Sequence, residues 1–228
     1  MTQRADVQTF SAPLLPRAGA SAGRRHVPAS WHFLKRATDL ALGGAALLAL
    51  SPLVAVAAAG IVMVSPGSPF FLQERVGKDG RRFKLFKLRT MVDGAHLRHT
   101  EMRDLNEVAG PVFKIRNDPR LHPLGKLLRR TSIDELPNLV NVLLGEMSIV
   151  GPRPPLPSEV EHYDDFALRR LTVNPGITCL WQINGRSNVS FEKWMQLDNA
   201  YIDSWSPLLD LTIVARTIPA VLRGEGAH

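Results

Sequence analysis

The stretch Thr131–Pro154 reads TSIDELPNLVNVLLGEMSIVGPRP and combines a helix pattern, a pair of acids and a proline-flanked arginine. Its apolar residues recur at helical spacing at Leu136, Leu139, Val140, Leu143 and Leu144. Gly145 follows them and is a natural helix C-cap, and the turn Pro152–Pro154 comes soon after. These features predict a helix that begins near Asp134, ends at Gly145 and leads into a stiff turn.

The two adjacent acids, Asp134 and Glu135, stand at the start of this helix and allow two interpretations. They can cap the helix: with Ser132 as N-cap, Glu135 completes a capping box. With Asp134 as N-cap, Pro137 falls in the first turn, where its absent N–H costs little. Alternatively, one acid attacks a phosphorus atom while the other holds a divalent cation. The helix start alone favours capping, so the surroundings must decide.

The surroundings of the pair are basic. Arg129 and Arg130 precede it, and Arg153 follows between two prolines. An arginine fork suits bidentate binding of phosphate, and a helix N-terminus would attract a phosphate and keep Asp134 ionised. The flanking prolines fix the backbone direction of Arg153, which a solvated arginine would not need. Arg130 fits a surface or membrane contact equally well.

The overall composition calls for an anionic partner. The chain has 228 residues, enough for one sizeable domain, and carries a net charge of +7 with a pI near 10.1. Nucleic acid is not expected as that partner, because the aromatic residues do not interleave with the basic cluster. The single cysteine, Cys179, excludes an intramolecular disulfide and a cysteine-rich zinc site, and is expected to be buried.

The stretch Leu40–Val64 contains no charged residue. As a helix it would measure roughly 37 Å, and a hydrocarbon core is about 30 Å thick. A secretory signal is the competing interpretation, since Ala55–Ala57 has a small-x-small pattern. The long basic segment ahead of the run and the length of the run argue against cleavage. The sequence therefore predicts a membrane segment.

The residues on either side of this segment indicate whether it crosses the membrane or returns to the same face. Lysines and arginines stand on both sides, whereas a spanning helix has them mostly on the cytoplasmic side. Ser51 and Pro52 lie at the midpoint, where proline bends a helix. Both facts favour a re-entrant helix that returns to the same face, with a plain kinked span as the alternative. The predicted organisation is a disordered tail over 1–30, an interfacial and re-entrant helix over 31–66, and a cytoplasmic catalytic domain over 67–228.

A β-hairpin is predicted after the membrane segment. Strands Phe70–Val76 and Arg81–Arg89 flank an Asp-Gly turn. The apolar positions of the second strand change phase near its middle. This predicts a bulge at Leu85-Phe86 that brings Lys84 and Lys87 to one face.

The rest of the chain is predicted to be mostly helical. The polar stretch Gly94–Glu107 predicts a connection or a short helix. Further helices are expected at Pro123–Arg130, Ser158–Leu171, Ser190–Ser204 and Leu208–Leu222. The last is apolar but short for a span, and it suits a core helix or an amphipathic helix on the membrane surface. The predicted fold class is mixed α/β, mostly helical, with a small β-hairpin.

The sequence resembles the bacterial sugar transferases known as monotopic phosphoglycosyl transferases, over about residues 35–228. The matching residues are Lys35–Asp39, Ser51-Pro52, Gln73–Gly77, Phe86–Met91, Thr131–Pro154, Pro175–Thr178 and Gln182–Arg186. Leu88 departs from the aromatic residue usual at its position, and Cys179 stands where glycine is frequent. Neither departure removes a charged group, so they bear on substrate detail rather than on the chemistry.

The resemblance implies roles for particular residues. Asp134 would be the nucleophile, and Glu135 would contribute to a Mg²⁺ site. The residues predicted to bind phosphate or substrate are Lys87, Arg89, Arg129 and Arg153. Ser51 and Pro52 would break the re-entrant helix.

The implied reaction transfers hexose-1-phosphate from a UDP-hexose, with glucose or galactose favoured, to undecaprenyl phosphate, and it releases UMP. It would run through an aspartyl-phosphosugar at the cytoplasmic face of the bacterial inner membrane and start exopolysaccharide or O-antigen synthesis. Membrane lipid is an expected partner, and a homo-oligomer or a larger complex is possible. The alternative is a non-catalytic basic protein that binds anionic lipid, in which both acids would be dispensable caps.

Overall fold

The computed structural model describes residues 27–95, 102, 105–107, 110–113, 115, 117–183 and 190–223. Most of the predicted disordered tail, much of the Gly94–Glu107 connection and residues 184–186 of the last resemblance motif lie outside the described residues. In chain order the elements are α1 Ala29–Val64, β1 Phe70–Val76, β2 Arg82–Leu88, α2 Gly125–Thr131, α3 Asn138–Leu144, β3 Ser148–Val150, α4 Pro157–Val160, α5 Asp165–Leu168, β4 Gly176–Thr178, α6 Leu180–Ile183, α7 Phe191–Ser204 and α8 Pro207–Arg223. The mostly helical prediction is confirmed.

The membrane segment forms one long helix, α1, with Pro52 inside it. It is long and apolar enough to cross a membrane, and very little of its most apolar stretch is buried against the rest of the protein. Leu48, Val56 and Met63 are among its exposed apolar side chains. A helix with this much uncovered apolar surface is not the core helix of a soluble domain, which supports a membrane location.

The hairpin forms as predicted, but without a bulge. β1 and β2 pair antiparallel in one continuous register, from Phe70 opposite Leu88 to Val76 opposite Arg82. The turn between them places Asp79 and Gly80 at positive φ, as an Asp-Gly hairpin turn requires. The bulge prediction is wrong, because the apolar phase of β2 changes for another reason.

That reason is burial on both faces of β2. Phe83 and Leu85 belong to a cluster that includes Val142 of α3, whereas Leu88 points the other way and packs in a cluster with Ile61 of α1. The strand therefore needs apolar side chains on one face at its start and on the other at its end. Side chains alternate along a regular strand, so Lys87 shares the face of Leu85 and exposed Lys84 lies opposite.

The predicted Asp134 helix is shorter than expected. α3 begins at Asn138, and Ile133–Glu135 form a separate 3₁₀ turn ahead of it. Pro137 occupies the N-cap position of α3, and Gly145 ends the helix at φ +85°, as predicted. The acids therefore precede the helix rather than forming its first turn.

A small parallel sheet, which the sequence did not predict, follows α3. β3 pairs with β4, with Ser148 opposite Gly176 and Val150 opposite Thr178. The strands are three residues each, too short for a periodic signal. Glycine is required at the crossing, because a Cβ on Gly176 would lie 2.1 Å from the backbone nitrogen of Gly151.

The helix predicted over Ser158–Leu171 is broken in two, α4 and α5, with a 3₁₀ turn after them. Asp164 causes the restart, since its carboxylate accepts a hydrogen bond from the Ala167 N–H at 2.8 Å and caps α5. The two later helices, α7 and α8, form where they were predicted. α8 buries Ile213 completely and exposes Leu208 and Ile218, which fits both a core contact and a surface facing lipid.

Both ends of α1 are anchored to the same globular part. Near its start, Arg36 donates two hydrogen bonds to the last carbonyls of α3, and Asp39 accepts two from β3. At its end, Arg89 donates to the carbonyls of Ser65 and Pro66. Between these anchors Leu48, Ser51, Pro52 and Leu53 are exposed, whereas Val54, Ala57 and Ala58 pack beside Ile61 against Leu88 and Leu128.

Candidate active site

The Asp134–Glu135 pair lies in the 3₁₀ turn between α2 and α3. Ser132, which precedes the turn, takes a left-handed conformation at φ +57° and makes no side-chain cap hydrogen bond. α3 likewise has no side-chain cap hydrogen bond at its start. Both capping arrangements considered for the sequence are therefore wrong, and the acids do not serve as helix caps.

Glu135 forms an ion pair with Lys87, whose Nζ lies 2.9 Å from the Glu135 Oε1. The pair forms because Lys87 projects from the face of β2 that packs toward α3 and the 3₁₀ turn. Lys87 is mostly buried and Glu135 is about one-third exposed, so the pair lies at the edge of the site. The structure thus brings together two residues that are forty-eight positions apart in the sequence.

Asp134 is the more deeply buried acid, with 6% of its surface exposed. Burial raises its pKa to about 6, Lys87 and Arg129 oppose the rise, and Glu135 adds to it. The pKa of Glu135 moves the other way: burial would raise it, but Lys87, Arg153 and Arg75 hold it below its usual value. Two neighbouring carboxyls therefore differ in proton affinity, and both are mostly ionised at pH 7.

Arg129 stands beside the pair on α2. Its Nε donates to Thr90 Oγ1 at 3.1 Å, which ties α2 to the end of the hairpin. Burial lowers the pKa of Arg129, and the Asp134 charge opposes that shift. Close approach of α2 to this segment requires Gly125, where a Cβ would lie 2.1 Å from the Thr90 carbonyl oxygen. A glycine contact therefore sets the position of Arg129.

Arg153 reaches the same region from the proline-flanked turn after β3. Its guanidinium lies 5.8 Å from the ring centroid of Trp194, and its Nη1 lies 3.7 Å from the Glu159 Oε1. Within the described part of the chain, this buried nitrogen has no hydrogen-bond partner. Among the described residues, Arg153 therefore keeps an N–H without a hydrogen bond beside Glu159, and its charge also acts on Glu135 of the acid pair.

Arg75 is a buried arginine that the sequence interpretation did not assign to the site. It is 4% exposed, and its Nη1 donates to the Pro154 carbonyl at 3.0 Å. Burial and the neighbouring Arg153 lower its pKa to about 9, while Glu159 and Glu135 oppose the shift. The signal for it was present in the sequence, because Arg75 belongs to the Gln73–Gly77 motif that carries part of the resemblance.

Arg89 lies apart from these groups. Its Nη1 and Nη2 donate to the carbonyls of Pro66 and Ser65, and its own carbonyl accepts a hydrogen bond from His122 if Nε2 carries the proton. Both terminal nitrogens are therefore engaged at the end of α1, and a role of Arg89 in binding phosphate stays a prediction. Ser51 and Pro52 also lie in α1, where Ser51 Oγ donates to the Leu48 carbonyl at 2.9 Å.

The acid pair suits a metal bound jointly with a substrate. Within the described residues, no three metal-ligating side chains of His, Cys, Asp or Glu gather at one point. Mg²⁺ needs no such group, because it is commonly held by one or two carboxylates together with phosphate oxygens and water. The two carboxylates and the desolvation of Asp134 fit a divalent cation of that kind.

Comparison with known proteins shows the family of the chain. The pattern described as bacterial sugar transferase matches residues 30–224. The exopolysaccharide production protein ExoY of Sinorhizobium fredii is 41% identical over 198 residues, covering 85% of this chain and 88% of its own. The undecaprenyl-phosphate galactose phosphotransferase of Salmonella typhimurium is 36% identical over 203 residues, covering 87% of this chain and 42% of its own.

A third relative is named for glucose rather than galactose. The UDP-glucose:undecaprenyl-phosphate glucose-1-phosphate transferase of Escherichia coli is 39% identical over 194 residues, covering 81% of this chain and 39% of its own. The chain thus spans most of ExoY and less than half of the two larger transferases. Because the family pattern covers nearly the whole chain and the relatives align along it, the protein belongs to the bacterial sugar transferase family.

Proposed function

We propose that the protein transfers hexose-1-phosphate from a UDP-hexose to undecaprenyl phosphate through a covalent intermediate on Asp134. The single observation that carries the proposal is the buried Asp134 carboxylate, flanked by the Lys87–Glu135 ion pair and by Arg129. A carboxylate nucleophile needs to be ionised yet poorly solvated, and a site for phosphoryl transfer needs nearby cations.

The reaction takes two steps. An oxygen of Asp134 attacks the β-phosphorus of the UDP-hexose, a bond forms between them, and the bond from that phosphorus to the bridging oxygen breaks. UMP leaves with the electron pair of the broken bond. An oxygen of undecaprenyl phosphate then attacks the same phosphorus, frees the Asp134 carboxylate and leaves a hexose joined to the lipid by a diphosphate.

The chain's own cations stabilise the charge that builds up on the phosphoryl oxygens. Lys87 and Arg129 act on Asp134 from β2 and α2, and Arg153, on the turn after β3, acts on Glu135. Preorganised donors of this kind stabilise a transition state more than a solvated ground state. Glu135 would hold Mg²⁺, which would supply further positive charge to the phosphoryl oxygens.

The arrangement of α1 supports a re-entrant helix. Its start is bonded to α3 and β3 through Arg36 and Asp39, and its end is bonded to Arg89, while its middle is exposed. A straight helix of this length would measure roughly 54 Å and would separate its ends by more than the hydrocarbon core. Anchors on one globular part favour both ends on one face, with Ser51-Pro52 at the bend.

Thiol labelling tests this path. Ser30→Cys and Ser68→Cys each place an exposed cysteine beside one end of α1, and native Cys179 is buried. We expect a membrane-impermeant reagent to leave both sites unlabelled in intact cells and to label both in inside-out vesicles. Labelling of one site in intact cells and the other in inside-out vesicles would contradict re-entry.

The donor is proposed to be UDP-glucose or UDP-galactose. The two larger relatives above carry glucose and galactose in their names, and ExoY is named for exopolysaccharide production. The product would then start the assembly of an exopolysaccharide at the cytoplasmic face of the inner membrane. UMP release measured against a panel of UDP-sugars, with undecaprenyl phosphate present, identifies the sugar.

The covalent step has a direct test. The wild-type protein, mixed with donor and no acceptor and quenched with acid, should gain the mass of one hexose-phosphate on the peptide that contains Asp134. Asp134→Asn should gain none and should lose UMP release by more than about two decades, whereas Asp203→Asn, an exposed acid, should behave as wild type. A folded Asp134→Asn protein that still releases UMP refutes the proposal.

A further inference from the structure

We propose that two buried arginines, Arg75 and Arg170, are positioning residues that hold the Pro152–Pro155 segment so that Arg153 faces the Asp134–Glu135 pair. The inference rests on the proposed function, because it assigns Arg153 to the phosphate of the donor. It adds two residues to that site, neither of which touches the substrate.

The carbonyls of the segment carry the argument. Four successive carbonyl oxygens each accept a hydrogen bond from outside the segment. Their donors are the Gly176 N–H to Pro152 at 2.8 Å, Arg170 Nη2 to Arg153 at 3.0 Å, Arg75 Nη1 to Pro154 at 3.0 Å and the Val76 N–H to Pro155 at 2.9 Å. Three of the four residues are prolines and have no N–H. External donors to the carbonyls must therefore fix the segment.

Two of the four donors are charged and almost fully buried, which is costly unless the charge has a specific use. Arg75 is 4% exposed and Arg170 is 2% exposed. Backbone N–H groups could satisfy the carbonyls of Arg153 and Pro154 without burying any charge. A guanidinium differs from an N–H because its planar fork reaches several acceptors at once in a fixed direction.

Arg170 uses that fork to join three elements. Its Nη2 lies 2.8 Å from the Oδ2 of Asp198 on α7, and its Nη1 donates to the Tyr163 hydroxyl at 2.8 Å. Its guanidinium also lies 4.9 Å from the ring centroid of Trp194, the same ring that Arg153 approaches at 5.8 Å. Arg170 thus connects the backbone of Arg153 to the ring under the Arg153 side chain.

Arg75 supplies the matching link to the other side of the site. It comes from β1, whose partner strand β2 carries Lys87. The Val76 N–H, next in the chain, donates to the same segment at Pro155. The hairpin therefore connects the strand that carries Lys87 to the segment that carries Arg153.

A neighbouring ion pair offers a matched control. Arg169, next to Arg170, pairs with Asp203 on the same helix α7 at 2.5 Å. That pair is exposed and makes no bond to the Pro152–Pro155 segment in the described part of the chain. Arg169→Lys and Arg170→Lys are thus the same substitution in adjacent positions, with and without a link to Arg153.

A double-mutant cycle tests the inference. Arg170→Lys should lower kcat/KM for UMP release by about tenfold or more, because misplacing a binding group by about 1 Å is that costly. Arg169→Lys should change it less than twofold. In an Arg153→Met background, Arg170→Lys should add less than a twofold loss, whereas in a Lys87→Met background it should keep its full effect. Equal losses in all backgrounds would show a merely structural role and overturn the inference.

A second variant separates the loss of the hydrogen bond to Arg153 from a loss of folding. Arg170→Met combined with Asp198→Leu replaces a buried ion pair with apolar side chains, a change that often leaves stability intact. This protein should still fold, with a Tm lowered by a few degrees at most, and should lose kcat/KM about tenfold, since the Arg153 carbonyl has lost its donor. Wild-type kcat/KM in a folded double variant would overturn the inference.

Amide hydrogen exchange separates this inference from the proposed function. The Val76 and Gly176 amides, which donate to the segment, should exchange about tenfold faster in the Arg170→Met, Asp198→Leu protein than in wild type. Unchanged exchange rates at both amides would contradict the positioning role, whatever activity the variant shows. Failure of the wild-type protein to release UMP from any UDP-hexose sinks the proposed function and leaves the exchange result valid.

Discussion

The acid pair predicts a pH profile set by Asp134. Burial raises the pKa of this carboxyl to about 6, and the nucleophile must be ionised, so the rate is lost as pH falls through about 6. With that pKa, roughly nine-tenths of the protein is active at pH 7 and roughly one-tenth at pH 5. An ordinary aspartate would lose its charge only near pH 4.

Lys87→Met is the perturbation that tests the origin of this pKa. Lys87 is the strongest of the attractions that hold the pKa of Asp134 down, so its removal should raise that pKa further. A shift of about one pH unit, or about 1.4 kcal/mol, is the expected size for one lost charge at a partly screened distance. The acid limb of the pH profile, where the rate falls as pH is lowered, should therefore move from about pH 6 to about pH 7. Lys84→Met changes an exposed lysine on the opposite face of the same strand and should leave the acid limb in place.

The assay is single-turnover UMP release without undecaprenyl phosphate, measured between pH 4.5 and 8.5. Leaving out the acceptor removes a phosphate whose own ionisation lies in the same range. The rates of each variant are normalised to their plateau, so that a loss of binding does not count as a shift. An acid limb near pH 4 in wild type, or an unshifted limb in Lys87→Met, would refute the electrostatic account.

Three further outcomes are expected. Glu135→Gln removes a negative neighbour of Asp134, so its normalised acid limb should move to lower pH, opposite to Lys87→Met; the same pH series checks it. Arg89→Met leaves the two carbonyls at the end of α1 without their donor and should lower the free energy of unfolding by about 1–3 kcal/mol, measured by thermal unfolding. Arg82→Met, which breaks an exposed ion pair, should lower it by at most about 1 kcal/mol. Gly125→Ala places a methyl 2.1 Å from a backbone oxygen, so it should lower the free energy of unfolding by about 1–3 kcal/mol and reduce UMP release. Gly44→Ala, whose methyl would have no atom within 4 Å, should keep the stability and the UMP release of the wild type.

Local signals predicted the parts of the fold that local chemistry controls. The Asp-Gly turn, the C-cap at Gly145 and the helix predicted from Ser190 form where the residue types indicate. The prediction of a bulge, which depended on the neighbours of the strand, was wrong. The bulge in β2 was inferred from apolar phase, and that phase reflects packing on both faces of the strand.

Some residues of the site could likewise be predicted from the sequence and others could not. Asp134, Glu135 and Arg153 stand out in one short stretch, and Lys87 follows from the resemblance. Arg75, Arg170 and Asp198 were not identified, although an aspartate on the apolar stripe of α7, four residues after Trp194, was a usable signal. Their importance depends on burial and on which carbonyl each arginine reaches, and neither is encoded in spacing.

The sequence by itself determined the membrane segment, the acidic pair, the basic charge and the family, because each depends on residue type, order or length. Only the tertiary structure decided that the acids do not cap a helix, that Lys87 pairs with Glu135 across forty-eight positions, and that Arg89 faces the end of α1. The physical reason is that burial and long-range contact set the pKa of Asp134 and the partners of each arginine. Those quantities exist only once strands, turns and helices have packed together.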